Sequence, residues 1–243
     1  MDTSFLLVGL GFGYGMYFDP WYFVFIGPAM LLAMIAQWMV SSAYAAGNQI
    51  GASMSGAMAA RRILDANGMH DVPIESVPGR LSDHYDPSAR VVRLSSEVYS
   101  SNSMSAVGIA AHEVGHAMQH ATGYSLMGIR NMAVPLANFG SPIGIVLIMI
   151  GVGFGLRMLP WLGIGLFSMT AVFQLVNLPV EFDASNRAKW ALQQLGIVPS
   201  QQMGAVNRVL NAAALTYVAA TLQSVLTVLY YAMIIMNNQR RRD

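Results

Sequence analysis

Residues 143–150 read IGIVLIMI, and the stretch around them contains no charged residue from Asn131 to Leu156. Three other windows of the sequence are also free of charge: Trp21–Val40, Met158–Val180 and Asn211–Asn238. Each window holds the roughly 20 apolar residues that cross the hydrocarbon core of a bilayer as a helix. The sequence therefore predicts four membrane spans, near residues 21–40, 138–156, 159–178 and 214–236.

The composition agrees with a membrane protein. The chain has 243 residues, of which 55% are hydrophobic and 10% are charged, whereas soluble domains have roughly 25% charged residues. A formal net charge of +1 gives no field that would attract nucleic acid, so we expect no nucleic-acid partner. The absence of cysteine excludes disulfides and thiolate metal ligands. Residues 4–18 are too short for a span, and we expect a re-entrant or interfacial segment there, or an extension of the first span.

The predicted spans divide the chain, and the second and third form a hairpin that returns to the side it left. Both polar segments therefore share one face of the membrane and can build one site. The expected fold is a mainly α membrane protein with a small β-hairpin or sheet. Its predicted segments are an anchor (1–40), a first polar segment (41–135), a transmembrane hairpin (136–178), a second polar segment (179–213), and a last span with a basic tail (214–243).

The first polar segment combines helices with a hairpin. SGAMAARRILDAN, which Gly68 follows, predicts a helix, and Val72–Val77 predicts a strand. Asp86-Pro87-Ser88 predicts a turn that leads into an extended run, Val91–Leu94. We expect this run to present an edge that could pair with a substrate strand. A long helix is predicted from about Ser103 to Ala121.

That helix contains His112-Glu113-Val114-Gly115-His116, an H-E-x-x-H motif. Residues four apart lie on one face of a helix, so both imidazoles can bind a single zinc ion, with Glu113 beside them as a general base. His120 continues this face, but it lies about 12 Å along the helix axis from His112 and cannot reach the same ion. We expect His120 to pack near the site without binding the metal.

A third ligand must come from elsewhere in the chain. Glu181 and Asp183 lie in LPVEFDASNRAKWAL, where Pro179 suits the first turn of a new helix. Because these two carboxylates point about 200° apart on a helix, only one can face the metal. Glu181 is our choice because it shares its face with polar residues that include Asn177. Asp183 remains the alternative ligand. A third possibility is that both acids lie at a solvated helix start and bind no metal.

Several blocks of the sequence resemble a known family. VVRLSSEVYSSNSMSAVGIAAHEVGHAMQH resembles the strand, short helix and motif helix of gluzincin-type membrane peptidases such as the HtpX and CaaX-prenyl-protease group. ARRILDANG, VPGRLSDHYDP, LPVEFDASNRA and NAAALTYVAA are similar to blocks of the YugP-type neutral zinc metallopeptidases of bacteria. The resemblance covers most of the chain from about residue 57 onward.

The resemblance implies a zinc-dependent membrane peptidase with His112 and His116 as ligands, Glu113 as the catalytic residue and Glu181 as the third ligand. Residues 41–135 are then a zincin-like segment that contains the motif helix, and residues 179–213 are the helix segment that contains the third ligand. Related gluzincins have an aspartate four residues after that glutamate, where this sequence has Ser185. HtpX-like enzymes act on the cytoplasmic side, so the resemblance also implies a cytoplasmic site in a bacterial inner membrane.

We expect one zinc ion per chain. We also expect the enzyme to hydrolyse peptide bonds of membrane or membrane-adjacent polypeptides. His84 is the first candidate for the donor that stabilises the oxyanion, and the other candidates are Tyr85, Arg187 and Tyr217. Two other functions remain open. One is a catalytically silent zinc-binding scaffold, and the other, which four spans make less suitable, is a transporter. The glycines at 151, 153 and 155 allow close helix contacts within one chain or in a homo-oligomer.

Overall fold

The computed structural model describes residues 20–240, so the prediction for residues 4–18 lies outside the described part of the chain. Helices dominate the described residues, as predicted, and a three-stranded sheet accompanies them. The helices are α1 (Pro20–Asn48), α2 (Gly56–Ala66), α3 (Ser96–Ser100), α4 (Met104–Ala121), α5 (Ser125–Gly153), α6 (Leu159–Gln194) and α7 (Met203–Arg240). The strands are β1 (Ile74–Val77), β2 (His84–Asp86) and β3 (Val91–Ser95).

The chain forms two compact units. Of the described residues, unit 1 comprises 20–34, Ile129–Val176 and 218–240, and unit 2 comprises Ile35–Gly128 and Asn177–Tyr217. Unit 2 contains the H-E-x-x-H motif and all three strands. The four long helices α1, α5, α6 and α7 each contribute residues to both units.

The same four helices are long and apolar enough to cross a membrane, and no other described helix meets that condition. This result confirms the predicted number of spans. Each of the four helices also extends beyond its predicted span at one end or both, so the hydrophobic window marks only part of each helix. In unit 1, Phe139, Phe154 and Trp21 are 70%, 79% and 63% exposed, a surface that suits lipid better than water.

Helices α5 and α6 approach closely within unit 1 because glycines face each other. A Cβ at Gly144 would lie 2.6 Å from the carbonyl oxygen of Gly163, and the reverse distance is the same. A Cβ at Gly151 would overlap the ring of Pro160. Gly151 therefore serves a contact within the chain, whereas the expectation of a homo-oligomer stays a prediction.

Local signals in the sequence determine the helices of unit 2. The Ser55 side chain accepts a hydrogen bond from the backbone N–H of Met58 at the start of α2, and Ser103 accepts one from Ala106 at the start of α4. Gly68, with φ +72°, follows the end of α2. The predictions of both helices are confirmed within one or two residues.

The sheet has the order β1-β3-β2, with β1 parallel and β2 antiparallel to β3. Val92 lies in the middle, since it pairs with Ile74 on one side and Tyr85 on the other. The predicted hairpin is confirmed, but the expectation that residues 91–94 offer a free edge is wrong. Parallel pairing of β1 with β3 uses the backbone groups that an edge strand would leave open.

The prediction that a new helix begins at Pro179 is also wrong. Pro179 lies inside α6, which runs without a break from the third predicted span through Glu181 to Gln194. Proline lacks only one backbone donor, and a helix interior can tolerate that loss where the surrounding packing compensates for it. One continuous helix therefore contains both a membrane-span sequence and the acidic candidates for metal binding.

Candidate metal centre

The two motif histidines lie on one face of α4, as the spacing predicts. Their ring centroids are 4.8 Å apart and their planes are nearly perpendicular, at 83°. The Nε2 atoms of His112 and His116 lie 3.3 Å and 3.6 Å from Oε2 of Glu181. One ligand atom from each of these three residues falls within 4.8 Å of the others. The structure thus brings together the three residues that the sequence suggested as metal ligands.

Gly115, inside the motif, allows α6 to approach α4 closely enough for this arrangement. A Cβ at Gly115 would overlap the carbonyl oxygen of Ala184 and would lie 3.1 Å from its Cα. Ala184 is three residues after Glu181 on α6. Close backbone contact at this point therefore places the Glu181 carboxylate next to both imidazoles.

Gln119 sets the orientation and the tautomer of His116. Its Nε2 donates hydrogen bonds to the backbone oxygen of Val180 at 2.7 Å and to Oδ2 of Asp183 at 2.9 Å. Two acceptors at this nitrogen fix the amide orientation, so Oε1 must face Nδ1 of His116, 3.0 Å away. The amide oxygen can only accept, hence Nδ1 carries a proton, and in the neutral ring Nε2 presents a lone pair toward Glu181.

Ser185 holds the other imidazole. Its Oγ lies 3.1 Å from Nδ1 of His112. A serine hydroxyl is thus the group that contacts this ring nitrogen. Each motif histidine therefore has its Nδ1 bonded to a side chain and its Nε2 directed at Glu181. This arrangement is typical of imidazoles that bind zinc.

The three convergent side chains of His112, His116 and Glu181 suit a bound cation. Oε2 of Glu181 is a buried atom that has no hydrogen-bond partner among the described residues. The Nε2 atoms of both imidazoles lie within 3.6 Å of this oxygen, and a buried carboxylate oxygen that accepts no hydrogen bond is costly unless a positive charge lies beside it. Two imidazole nitrogens and one carboxylate oxygen form a common ligand set for zinc. The residues present therefore fit zinc.

Glu113 lies beside the cluster without joining it. Its side chain is buried, and burial raises the pKa of its carboxyl above the usual range, although His112 and His116 oppose that effect. Glu113, His112 and Glu181 all line one cavity of about 180 Å³ in unit 2. A group that alternately holds and releases a proton benefits from such a raised pKa.

Of the four candidates for the oxyanion donor, Tyr217 lines this cavity and the other three are not among its lining residues. His84 is exposed, and its Nδ1 donates to the backbone oxygen of Ser82 at 2.7 Å. Tyr85 contacts Nδ1 of His120 at 2.8 Å, and Arg187 pairs with Asp183. The structure therefore does not bring His84 to the cluster, and its catalytic role stays a prediction.

The neighbour of His84 faces the cavity instead. Asp83 lines it and accepts hydrogen bonds from the backbone N–H and the Oγ of Ser95, at 2.8 Å and 3.0 Å. Side chains of adjacent residues in an extended segment point to opposite sides, so only one of Asp83 and His84 can face the cavity. Which one does so depends on how this segment pairs with its neighbours, and the sequence does not reveal that pairing.

The remaining acidic and histidine candidates have other partners. Asp183, the alternative ligand, accepts from Gln119 and from Nε of Arg187 at 2.6 Å, and it is not part of the ligand cluster. His120 contacts Tyr85 and lies outside the cluster, as expected. Sequence reasoning missed Gln119, although its position three residues after His116 places it on the neighbouring turn of the same helix face.

Comparisons with known proteins agree with this geometry. Residues 22–236 match the profile of a family described as "Putative neutral zinc metallopeptidase". The chain is also 46% identical, over 220 residues, to the "Putative membrane protease YugP" of Bacillus subtilis (strain 168). That alignment covers 89% of this chain and 98% of the relative. No solved structure matches the chain. With the match spanning nearly its whole length, the chain belongs to this family of neutral zinc metallopeptidases.

Proposed function

We propose that the protein is a membrane-embedded, zinc-dependent endopeptidase that hydrolyses peptide bonds of membrane or membrane-adjacent polypeptides. The observation that carries the proposal is the placement of buried Glu113 in the same cavity as His112 and Glu181, next to three convergent ligand atoms. Membership of the zinc metallopeptidase family supports it, and so does the name of the Bacillus relative, a membrane protease.

The residues divide the chemistry among them. Zinc, one ion per chain held by His112, His116 and Glu181, would supply the Lewis acidity that polarises water and the scissile carbonyl. Glu113 takes a proton from the attacking water and passes it to the leaving amine. Tyr217, a phenol that lines the cavity, is the best placed of the four donor candidates to stabilise the developing oxyanion.

The membrane location rests on the four long apolar helices and on the relative's name. The walls of the cavity include Tyr44 from α1 and Tyr217 from α7, two of those helices. Because helices that could cross a membrane form part of the cavity wall, we expect the substrate to reach the site from the bilayer or its surface. We assign the protein to the inner membrane of a bacterial cell, with the site on the cytoplasmic side.

The test of the activity compares the wild type with Glu113→Gln in detergent, using casein as a flexible substrate. Zinc content is measured on both proteins. We expect the wild type to cleave and Glu113→Gln to lose at least about 100-fold in rate, because general-base catalysis contributes about that factor or more, while its zinc content stays the same. Equal cleavage by both would reject the role of Glu113. No cleavage by either, with zinc retained, would favour the scaffold.

The test of sidedness uses the absence of cysteine from the chain. A single cysteine is introduced at Ser88, an exposed position in unit 2, and in a second variant at Met158, an exposed position between α5 and α6. In intact cells an impermeant thiol reagent should label Met158→Cys and leave Ser88→Cys unlabelled. The opposite pattern would place the site outside the cytoplasm.

A further inference from the structure

The cavity beside the candidate metal centre has an apolar wall that the proposed chemistry does not use. One face of α7 supplies most of it, through Val209, Leu210, Ala213 and Ala214. These positions recur at the spacing of successive helical turns, so they form one continuous surface. Alanine at two of the four positions leaves room that larger side chains would fill.

The motif helix completes this wall through Ile109, one turn before Glu113. Within residues 103–119 of the motif region, Ile109 and His112 are the two that are not fully buried, and both line the cavity. An isoleucine that remains partly open in an otherwise buried helix face directs an apolar surface toward the reacting groups. It lies three residues from His112, which places it within one turn of a ligand.

A second cavity, of about 130 Å³, shares four lining residues with the first: Val40, Tyr44, Leu81 and Asp83. Its other lining residues include Arg80 and Glu97, two charged side chains. The charged side chains of Arg80 and Glu97 thus line the second cavity and not the first. Besides the groups assigned to the site, the first cavity has Tyr44 and Asp83 as its polar lining residues.

From this apolar wall we infer that the protease selects substrates by an apolar side chain next to the scissile bond, which Ile109, Leu210 and Ala213 receive. This inference rests on the proposed function. A cavity of about 180 Å³ has room for a leucine or phenylalanine side chain, since apolar cavities of about 150 Å³ bind benzene. A charged side chain packed against these three apolar residues would lose its hydration without gaining a partner from them.

The experiment uses synthetic peptides that differ at one central residue, which is glycine, alanine, leucine, phenylalanine, aspartate or lysine. Cleavage positions are assigned by mass spectrometry, and kcat/KM is measured for each peptide. We expect the leucine and phenylalanine peptides to be cleaved next to the variable residue, with kcat/KM at least about tenfold above that of the glycine peptide, because apolar pockets discriminate by such factors for even small changes in size.

Two variants test the wall itself. Ala213→Leu adds three carbon atoms to the pocket and should lower kcat/KM for the phenylalanine peptide about tenfold more than for the glycine peptide. Ile109→Ala enlarges the pocket and should raise the ratio of phenylalanine to leucine cleavage. The matched control is Gly204→Leu, at an exposed position of the same helix where an added Cβ meets nothing within 4 Å. It should leave all the ratios unchanged.

The outcomes separate this inference from the proposed function. If the wild type cleaves well above Glu113→Gln but shows no preference for apolar residues, the inference fails and the function stands. The same holds if Ala213→Leu and Ile109→Ala each change kcat/KM by the same factor for all peptides. If no peptide is cleaved faster by the wild type than by Glu113→Gln, the proposed function fails and the inference fails with it.

Discussion

Replacement of Gln119 by methionine tests how the metal site is held together. Gln119 is fully buried and joins three groups: the ring of His116, the backbone oxygen of Val180 and the carboxylate of Asp183. Methionine has a similar length but offers no amide donor and only a weak acceptor. The variant therefore removes all three hydrogen bonds with little change in volume.

Two effects of different size should follow. His116 loses the acceptor that fixes its tautomer, and loss of such a partner typically lowers metal affinity 10–100-fold. Val180 also loses the donor to its backbone oxygen. An unsatisfied buried acceptor costs about 1–3 kcal/mol, so the free energy of unfolding of the zinc-free protein should fall by about that amount.

The assay is competition for zinc between the protein and a chromophoric chelator, with thermal unfolding of the zinc-free protein measured in parallel. His120→Ala is the control, since His120 lies one residue away on the same helix and bonds to Tyr85 rather than to the site. An unchanged zinc dissociation constant in Gln119→Met would refute the argument. So would an equal loss of affinity in His120→Ala.

Substitutions at three positions have defined outcomes. Ser185→Ala removes the hydroxyl 3.1 Å from Nδ1 of His112, so zinc affinity in the chelator assay should fall, and Ser185→Asp should recover part of it. Gly115→Val places side-chain atoms where the backbone of Ala184 lies, so we expect loss of zinc and a lower unfolding temperature. Normal zinc binding by this variant would count against the close packing of α4 and α6. His120→Ala should keep the zinc content of the wild type, and a metal-free protein would mean that His120 is a ligand after all.

Periodic and local signals in the sequence predicted the number of long apolar helices and the bounds of α2 and α4. Four uncharged windows gave the number of long apolar helices, and serine caps with Gly68 marked the ends of the helices in unit 2. The H-E-x-x-H spacing placed two imidazoles on one face because helical geometry is the same in every context. The polar helix face that includes Asn177 then favoured Glu181 over Asp183, and the structure places Glu181 beside both rings.

Long-range pairing could not be predicted in the same way. The central position of β3 depends on parallel pairing with β1, and no residue of β3 indicates which strands will lie on its two sides. Pro179 was expected to start a helix because proline favours the first turn, but packing along α6 overrides that local preference. The partnership of Gln119 with Asp183 joins residues 64 positions apart. It became visible only when α4 and α6 were placed side by side.

The most direct measurement is anomalous diffraction at the zinc absorption edge from crystals of the zinc-loaded protein. The account predicts one strong peak per chain, in contact with Nε2 of His112, Nε2 of His116 and the carboxylate of Glu181. A peak at another place, or a Glu181 side chain that turns away from both imidazoles in the zinc-loaded protein, would contradict it.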